Sequence, residues 1–551
     1  MYHARRLLWI VLATCTGLTA GFPSATGHDH TRRAAQRARA ATLAKAQAFA
    51  LIATNRQPGD TCELTIDLVD AETREPLSGL VRLTDKASGK ALQLSGEIHR
   101  AANWFSLESH TRMPVPRTRV QIEAVRGLRT ELATVEIDLS NKSQANTTIR
   151  LKRFYRSAGI YSGNTHLHLM ELTHAEADRY LRVVPRSDNL DLVFLSHLRR
   201  IPDERNYIFN SIVENSFAGG DLQRLSQHGT LLANGEEHRH DFGQGVQGYG
   251  HVMLLNLLKL IRPVSIGPQI MRSGTDWPPL QRGIRAARAD GATIIWCHNT
   301  YGLEAVPNWL AGLVHAQNIF DGGSQYGSYE HSFYRYLNLG MRVPFSTGTD
   351  WFVYDLSRVY APVAGQLTAE KWLQSLRDGR SYITNGPLLE FEADGQTVGS
   401  TIALSGSREI KITGAARGRL DFRGLELVHN GSVVFASASS TAQGHYRAEM
   451  NHTLKITEPG WIALRVPRQN GQTELDGTLF AHTSPIYVEI AGRRIFRPEI
   501  AQQMVSEIEA NIQTIKDQGV FRDDQQRESV LSVYRAGIEA LQNRISRRQA
   551  E

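Results

Sequence analysis

Asn164-Thr165-His166-Leu167-His168 opens a series of imidazole and carboxylate positions that continues through His174, His197, Glu237, His251, His298 and Asp350. Nearly all stand beside short apolar runs. Leu192-Val193-Phe194-Leu195 leads to His197, Ile294-Ile295-Trp296 leads to His298, and Asp350 follows the run at Val343. A lone His-x-His is a weak signal. Neutral imidazoles and carboxylates recurring at the ends of successive buried strands are the donors that hold Zn²⁺, Mn²⁺ or Fe²⁺. His251 departs from the pattern, because it opens its run instead of closing it.

Outward from that series, residues 157–390 alternate apolar runs with helical stretches such as Gln281 to Asp290. This texture predicts an α/β region with a parallel sheet or barrel. At the carboxyl ends of barrel strands such ligands would share one face. Residues 60–153 alternate as half-buried strands do, for example Cys62 to Val69, and predict a small antiparallel β-sandwich. Residues 395–492 predict a second sandwich, with Asn430-Gly431 as a hairpin turn. Residues 497–549 are helical. Ile500, Met504, Ile508, Ile512 and Ile515 share one face, which packs on the body or, as the alternative, forms a self-association seam. The expected architecture is a multidomain α/β plus all-β chain: a distorted β/α barrel flanked by two β-sandwiches, with a C-terminal helical segment.

The chain has 551 residues, more than one hydrophobic core accommodates. With 41% hydrophobic and 21% charged residues it is neither disordered nor a membrane bundle. Arg5 and Arg6, the apolar stretch from Leu7 and the small residues that follow read as a signal peptide over residues 1–27, hence an exported protein, periplasmic or secreted. Leu12-Ala13-Thr14-Cys15 is close to a lipobox, which keeps a lipoprotein in view. No later run is long enough to span a membrane. Residues 31–57, rich in Ala, Arg, Lys and Gln, predict an N-terminal helix. Cys297 sits within an apolar run and reads as a buried, inert thiol. The formal charge of +7 comes without a nucleic-acid-binding motif and reads as a solvated surface feature with weak attraction to anionic surfaces.

The ordered set of motifs over residues 157–390 resembles the polymerase-and-histidinol-phosphatase (PHP) family, and in particular its CehA/McbA-type metallohydrolases. Asn164-Thr165-His166-Leu167-His168 stands where that family has Asp-x-His-x-His, and His174 matches its next histidine. Leu195-Ser196-His197 matches a Thr-Asp-His strand end, Gly235-Glu236-Glu237 a Gly-x-Glu, and Cys297-His298-Asn299 an Ala-His-Pro. Gly348-Thr349-Asp350-Trp351-Phe352 stands for Gly-Ser-Asp-x-His. The resemblance implies one ion on His166, His168 and Asp350, a second on His251 and His298, and Glu237 bridging them. It implies a third site on His174, His197 and the position that is Phe352 here, which phenylalanine cannot complete.

This resemblance implies a hydrolase that activates water between two divalent ions (Zn or Mn, with Fe as a further option) and cleaves an ester, amide or carbamate bond in a small molecule. Phosphomonoester or phosphodiester cleavage is the alternative chemistry. A degenerate barrel binding envelope glycans is the alternative class. Asp350, His197 or His331 could deliver the leaving-group proton. Arg358 could clamp an anionic substrate or stabilise an oxyanion, and Asn299 and Tyr301 could touch substrate. His238 and His240 read as surface residues or as neighbours supporting Glu237.

Overall fold

The computed structural model describes residues 61–199, 208–242, 247–268, 274–299, 301–322, 327–468 and 471–550. The signal peptide expected over 1–27 and the helix expected over 31–57 lie outside them. Among the described residues no helix is long and apolar enough to cross a membrane.

Strict alternation along Thr61–Asp70 buries every second residue, Cys62, Leu64, Ile66 and Leu68 among them. This strand pairs antiparallel with His110–Pro116 but parallel with Gln144–Leu151, so the sheet is mixed where alternation alone suggested antiparallel pairing. A five-stranded sheet containing Gly79–Asp85 and Arg119–Val125 shares one apolar core with it. A bidentate pair, Arg100 Nη1 and Nη2 to the Asp188 carboxylate at 2.8 and 2.9 Å, joins this β unit to the central region. Both side chains are fully buried. Removing one partner would strand a charge in the interior, at a cost of about 3–5 kcal/mol.

The central region is mixed α/β. Ile160–His168, Leu192–His197 and Leu231–His240 lie side by side and parallel. The pairing of Thr293–Trp296, Ala316–Asn318 and Phe345–Ser346 is also parallel. Between the two sets, Gly250–Leu255 runs antiparallel to both Leu231–His240 and Thr293–Trp296. Asp350–Trp351 returns to pair with the end of the first strand. Helices intervene, including His174–Ser187 and Leu280–Ala289. Thr173 starts the first of these with a capping box to Glu176.

Tyr382–Thr384 pairs with Ala481–Thr483, so hydrogen bonding continues from the central sheet into the second β unit. There, Gly424–His429 and Ser432–Ala438 form the expected hairpin, with Asn430 and Gly431 at φ 52° and 98°. The other face is a five-stranded sheet around Arg408–Gly418 and His445–Ile456. Two helices, Pro498–Gln518 and Asp524–Ala550, end the chain. Their apolar face buries Met504, Ile508, Ile515, Tyr534 and Leu541 in the same core as Trp309. The stripe that could have served as a seam between copies is thus largely used within the chain.

Candidate metal centre

Four imidazoles and three carboxylates, from distant parts of the chain, meet in one buried cluster. Ile160–His168 ends in His166 and His168. Asp350 lies beside them because its short strand pairs with that end, Leu167 opposite Asp350. Glu237 comes from the carboxyl half of Leu231–His240, and His251 sits opposite Arg239 on the neighbouring strand. This explains why His251 opens its run: an antiparallel strand presents its amino end where parallel strands present their carboxyl ends. His298 and Asp350 both have left-handed backbone, at φ 56° and 59°. Such conformations are uncommon outside glycine and are concentrated at functional sites. Gly322, itself at φ 56°, packs against the Asp350 carboxylate, where a Cβ would collide with it.

Glu237 is the hub. Its Oε2 lies 3.2 Å from His168 Nε2, and its Oε1 lies 2.8 Å from His251 Nδ1 and 3.4 Å from His298 Nε2. His166 Nε2 and His168 Nε2 stand 3.4 and 3.7 Å from Asp350 Oδ1. Two donors about 2.1 Å from a tetrahedral ion are separated by about 3.4 Å, which is the spacing seen here. Sets such as His166–His168–Glu237 and Glu237–His251–His298 keep their donor atoms within 4.8 Å of one another and could hold a metal ion.

Hydrogen-bond partners set the tautomers. His168 Nδ1 is 2.7 Å from the Ser196 carbonyl, which only accepts, so Nδ1 carries the proton. His166 Nδ1 is 3.0 Å from Asp321 Oδ2. Each neutral ring then turns a lone pair inward, and the two Nε2 atoms face each other at 3.0 Å. Two lone pairs at that distance repel unless a proton or a cation lies between them. Burial disfavours charge on His166 and His298, but Asp350, Asp321 and Glu237 outweigh it and hold both imidazoles above the ordinary histidine range, His298 well above. Burial likewise opposes ionisation of Glu237 and Asp321. The surrounding histidines nevertheless hold both far below the usual carboxylate range. The cluster favours positive charge, and its donors could hold a metal ion.

Several expectations are corrected or refined. Asp321 was missed: it reaches His166 Nδ1 and, at 3.3 Å, His298 Nδ1. Asp241 was missed as well. It lies 3.3 Å from His251 Nε2, accepts from Tyr301 Oη at 2.6 Å and pairs with Arg239. The signal that could have found Asp321 is its place just after Gln317-Asn318-Ile319-Phe320, the end of another strand. Tyr301 borders the centre, its ring 5.0 Å from that of His251. Asn299 instead serves the backbone, accepting from Phe320 N at 2.9 Å.

Arg358 is no substrate clamp. It is completely buried, donating from Nε to the Leu356 carbonyl at 2.8 Å and from Nη1 to the Asp188 carbonyl at 2.6 Å. His331 is exposed on the short helical turn Glu330–Tyr334, apart from the buried cluster. His197 is buried and bonds Glu214 at 3.1 Å, whereas His174 is exposed beside the Ser211 hydroxyl. Among the described residues, no set of three metal-capable side chains includes either. Phe352 packs in an apolar cluster, edge-on to Tyr180 at 5.5 Å. His238 and His240 are buried, not on the surface, and pair with Glu236 and Asp276 at 3.0 and 2.8 Å. Cys297 is a buried free thiol held well above its usual range by burial, as its apolar run implied.

Asn164 does not approach the cluster's centre. Its amide donates to Thr349 Oγ1 at 2.7 Å and accepts from His166 N at 3.1 Å, fixing the strand to the loop before Asp350. Ser196 supports His168 through its backbone carbonyl, a role its side chain does not determine.

No family model matches the chain. No curated protein matches it either. Among solved structures, a calcium-binding mutant of Bacteroides uniformis beta-glucuronidase 2 is similar at 8% identity and a TM-score of 0.16, over 76% of this chain and 58% of that one. A likeness that weak identifies neither a fold nor an activity.

Proposed function

We propose that this chain is an exported, metal-dependent hydrolase of the CehA/McbA type, its central region a distorted β/α barrel of the PHP kind. One observation carries the reading: a single carboxylate, Glu237, reaches His168, His251 and His298 at once, in a cluster whose facing ring nitrogens need a proton or a cation between them. His166, His168 and Asp350 would hold one ion and His251 and His298 a second, with Glu237 shared between them. Zinc and manganese suit this donor set, and iron is compatible with it. Ions held by these residues would supply Lewis acidity toward a substrate carbonyl and toward water near neutral pH.

The chain's own residues do the rest. Asp321 fixes the rings of His166 and His298, and the Ser196 carbonyl fixes that of His168, so the coordinating nitrogens are aimed before any ion arrives. Asp241 does the same for His251 and orients the Tyr301 hydroxyl at the rim. Asp350, 11% exposed at its side chain where Glu237 is 3% and Asp321 fully buried, would pass a proton to a leaving group.

Ester, amide or carbamate cleavage fits better than phosphoester cleavage. Arg358, one of the arginines that could have clamped an anionic substrate, is committed to backbone carbonyls inside the fold. The test is hydrolysis of p-nitrophenyl acetate and bis-p-nitrophenyl phosphate by the metal-loaded protein and by His166→Ala. Acetate turnover abolished in a folded variant supports the reading. Phosphodiester turnover alone would shift it to phosphoryl chemistry. A metal-free wild type inactive on both would point to a binding module.

A further inference from the structure

Far from the histidine cluster in sequence, a second concentration of charge stands out. A cleft of about 580 Å³ is lined by Arg342, Arg493, Arg494, Arg544, Arg547 and Arg548, and among the described residues no acidic side chain lines it. Three separate segments supply these arginines. Arg342 follows the short helix that ends at Leu337. Arg493 and Arg494 come from a tight turn closed by reciprocal hydrogen bonds between Ile490 and Arg493. Arg544, Arg547 and Arg548 project from one face of Asp524–Ala550, as spacings of three and four residues dictate.

A basic last turn complements the helix dipole, and this accounts for Arg547 and Arg548 as a surface feature. It does not account for Arg342, Arg493 and Arg494 facing them from two loops. Part of this charge is engaged within the fold, since Arg342, Arg494 and Arg548 all have partners there. Arg494 pairs with Glu489 at 2.7 Å. Arg342 donates to the Gly399 carbonyl at 3.1 Å and to the Thr401 hydroxyl, and lies over the Tyr487 ring at 4.6 Å, all neutral partners. Burial lowers the Arg544 guanidinium. Like charges so gathered repel one another, and a bound polyanion would relieve that repulsion.

We propose that this cleft is a binding site for a phosphate-bearing anion. Planar guanidinium groups on converging loops can engage several phosphate oxygens in paired hydrogen bonds, a geometry that a scattered basic surface lacks. The apolar floor, which includes Trp309 and Met341, leaves room for more than the phosphate itself. Such an anion could be a free oligophosphate or an anionic lipid headgroup at a membrane surface.

The test uses the full chain with sodium triphosphate in calorimetry, and vesicles of phosphatidylcholine with or without phosphatidylglycerol in sedimentation. Arg493→Glu/Arg547→Glu alters two exposed positions on different segments. Arg112→Glu/Arg119→Glu makes the same charge change on the N-terminal β unit, where both arginines are also exposed. Binding weakened by about tenfold or more in the first variant, and within about twofold of wild type in the second, is expected. Triphosphate binding without vesicle binding identifies a free phosphate ligand, and the reverse identifies a headgroup. Arg544→Gln, checked by its melting temperature, repeats the test should the double variant fail to fold. No binding of either probe by wild type, or equal weakening in both double variants, overturns the proposal.

Discussion

One strand, Leu231–His240, carries two groups of ionisable residues on its two faces, and they behave differently. On one face, Glu237 enters a cluster where several ring nitrogens and carboxylate oxygens point at a common space. On the other, His238 Nδ1 pairs with Glu236 at 3.0 Å while its Nε2 abuts Gly283, and Glu236 also accepts from Ile261 N at 2.7 Å. His240 closes its own pair with Asp276 while stacking on Tyr249 at 3.7 Å. Both faces are buried and rich in histidine. What separates them is convergence: on the second face each imidazole meets a single carboxylate, whereas on the first several ring nitrogens and carboxylates close on one space and could hold a metal ion. A count of histidines does not make a metal site.

The widest contrast comes from two substitutions one residue apart. Glu237→Gln should strip the protein of most of its metal and its hydrolytic activity, read by elemental analysis and turnover. A metal content unchanged from wild type would break the comparison. Glu236→Ala belongs at the other end of the scale and is set out below.

Asp321→Asn keeps the hydrogen-bonding shape but removes the charge that aligns His166 and His298. Loss of such a supporting carboxylate costs about 10–100-fold in metal affinity, measurable by competition with a chromophoric chelator. An affinity equal to wild type would show that the two rings are aimed by packing alone.

pH sharpens the same contrast. In the metal-free protein, His298 and His166 have raised proton affinity, so their stabilising contribution is complete below the ordinary histidine value of about 6.5 and is lost as pH rises through their elevated values. A metal ion must displace those protons. Metal affinity should therefore fall as pH is lowered from about 8 to about 6, with proton release on binding seen by calorimetry in buffers of different ionisation enthalpy. Binding that releases no protons would contradict this.

Glu236→Ala should leave metal content intact and cost about 1–3 kcal/mol of folding stability, because Ile261 N and His238 Nδ1 lose their acceptor in the interior. Denaturant unfolding checks the cost. Loss of metal in this variant would erase the distinction between the faces.

Much of the centre was legible in the chain because short apolar runs and the donors beside them are local signals. His166, His168, Glu237, His298 and Asp350 were found that way. His251 was found but not explained, since strand direction depends on pairing with distant segments. Asp321 escaped notice because the strand before it contains Gln317 and Asn318, buried side chains that interrupt any apolar run. Arg358 was misjudged for the opposite reason. A charged residue near a ligand loop suggests a substrate contact, and only the packing of its strand reveals that its guanidinium is enclosed among carbonyls. The parallel partner of Thr61–Asp70 was hidden too, because alternation reports which face is buried and not which way a neighbour runs.

Anomalous scattering from crystals of protein purified without chelators tests the central claim most directly. The account predicts about two peaks, one bounded by His166, His168 and Asp350 and one by His251 and His298, with Glu237 touching both. Maps with no peak among these side chains, at wavelengths on the high-energy side of the zinc, iron and manganese edges, would contradict it.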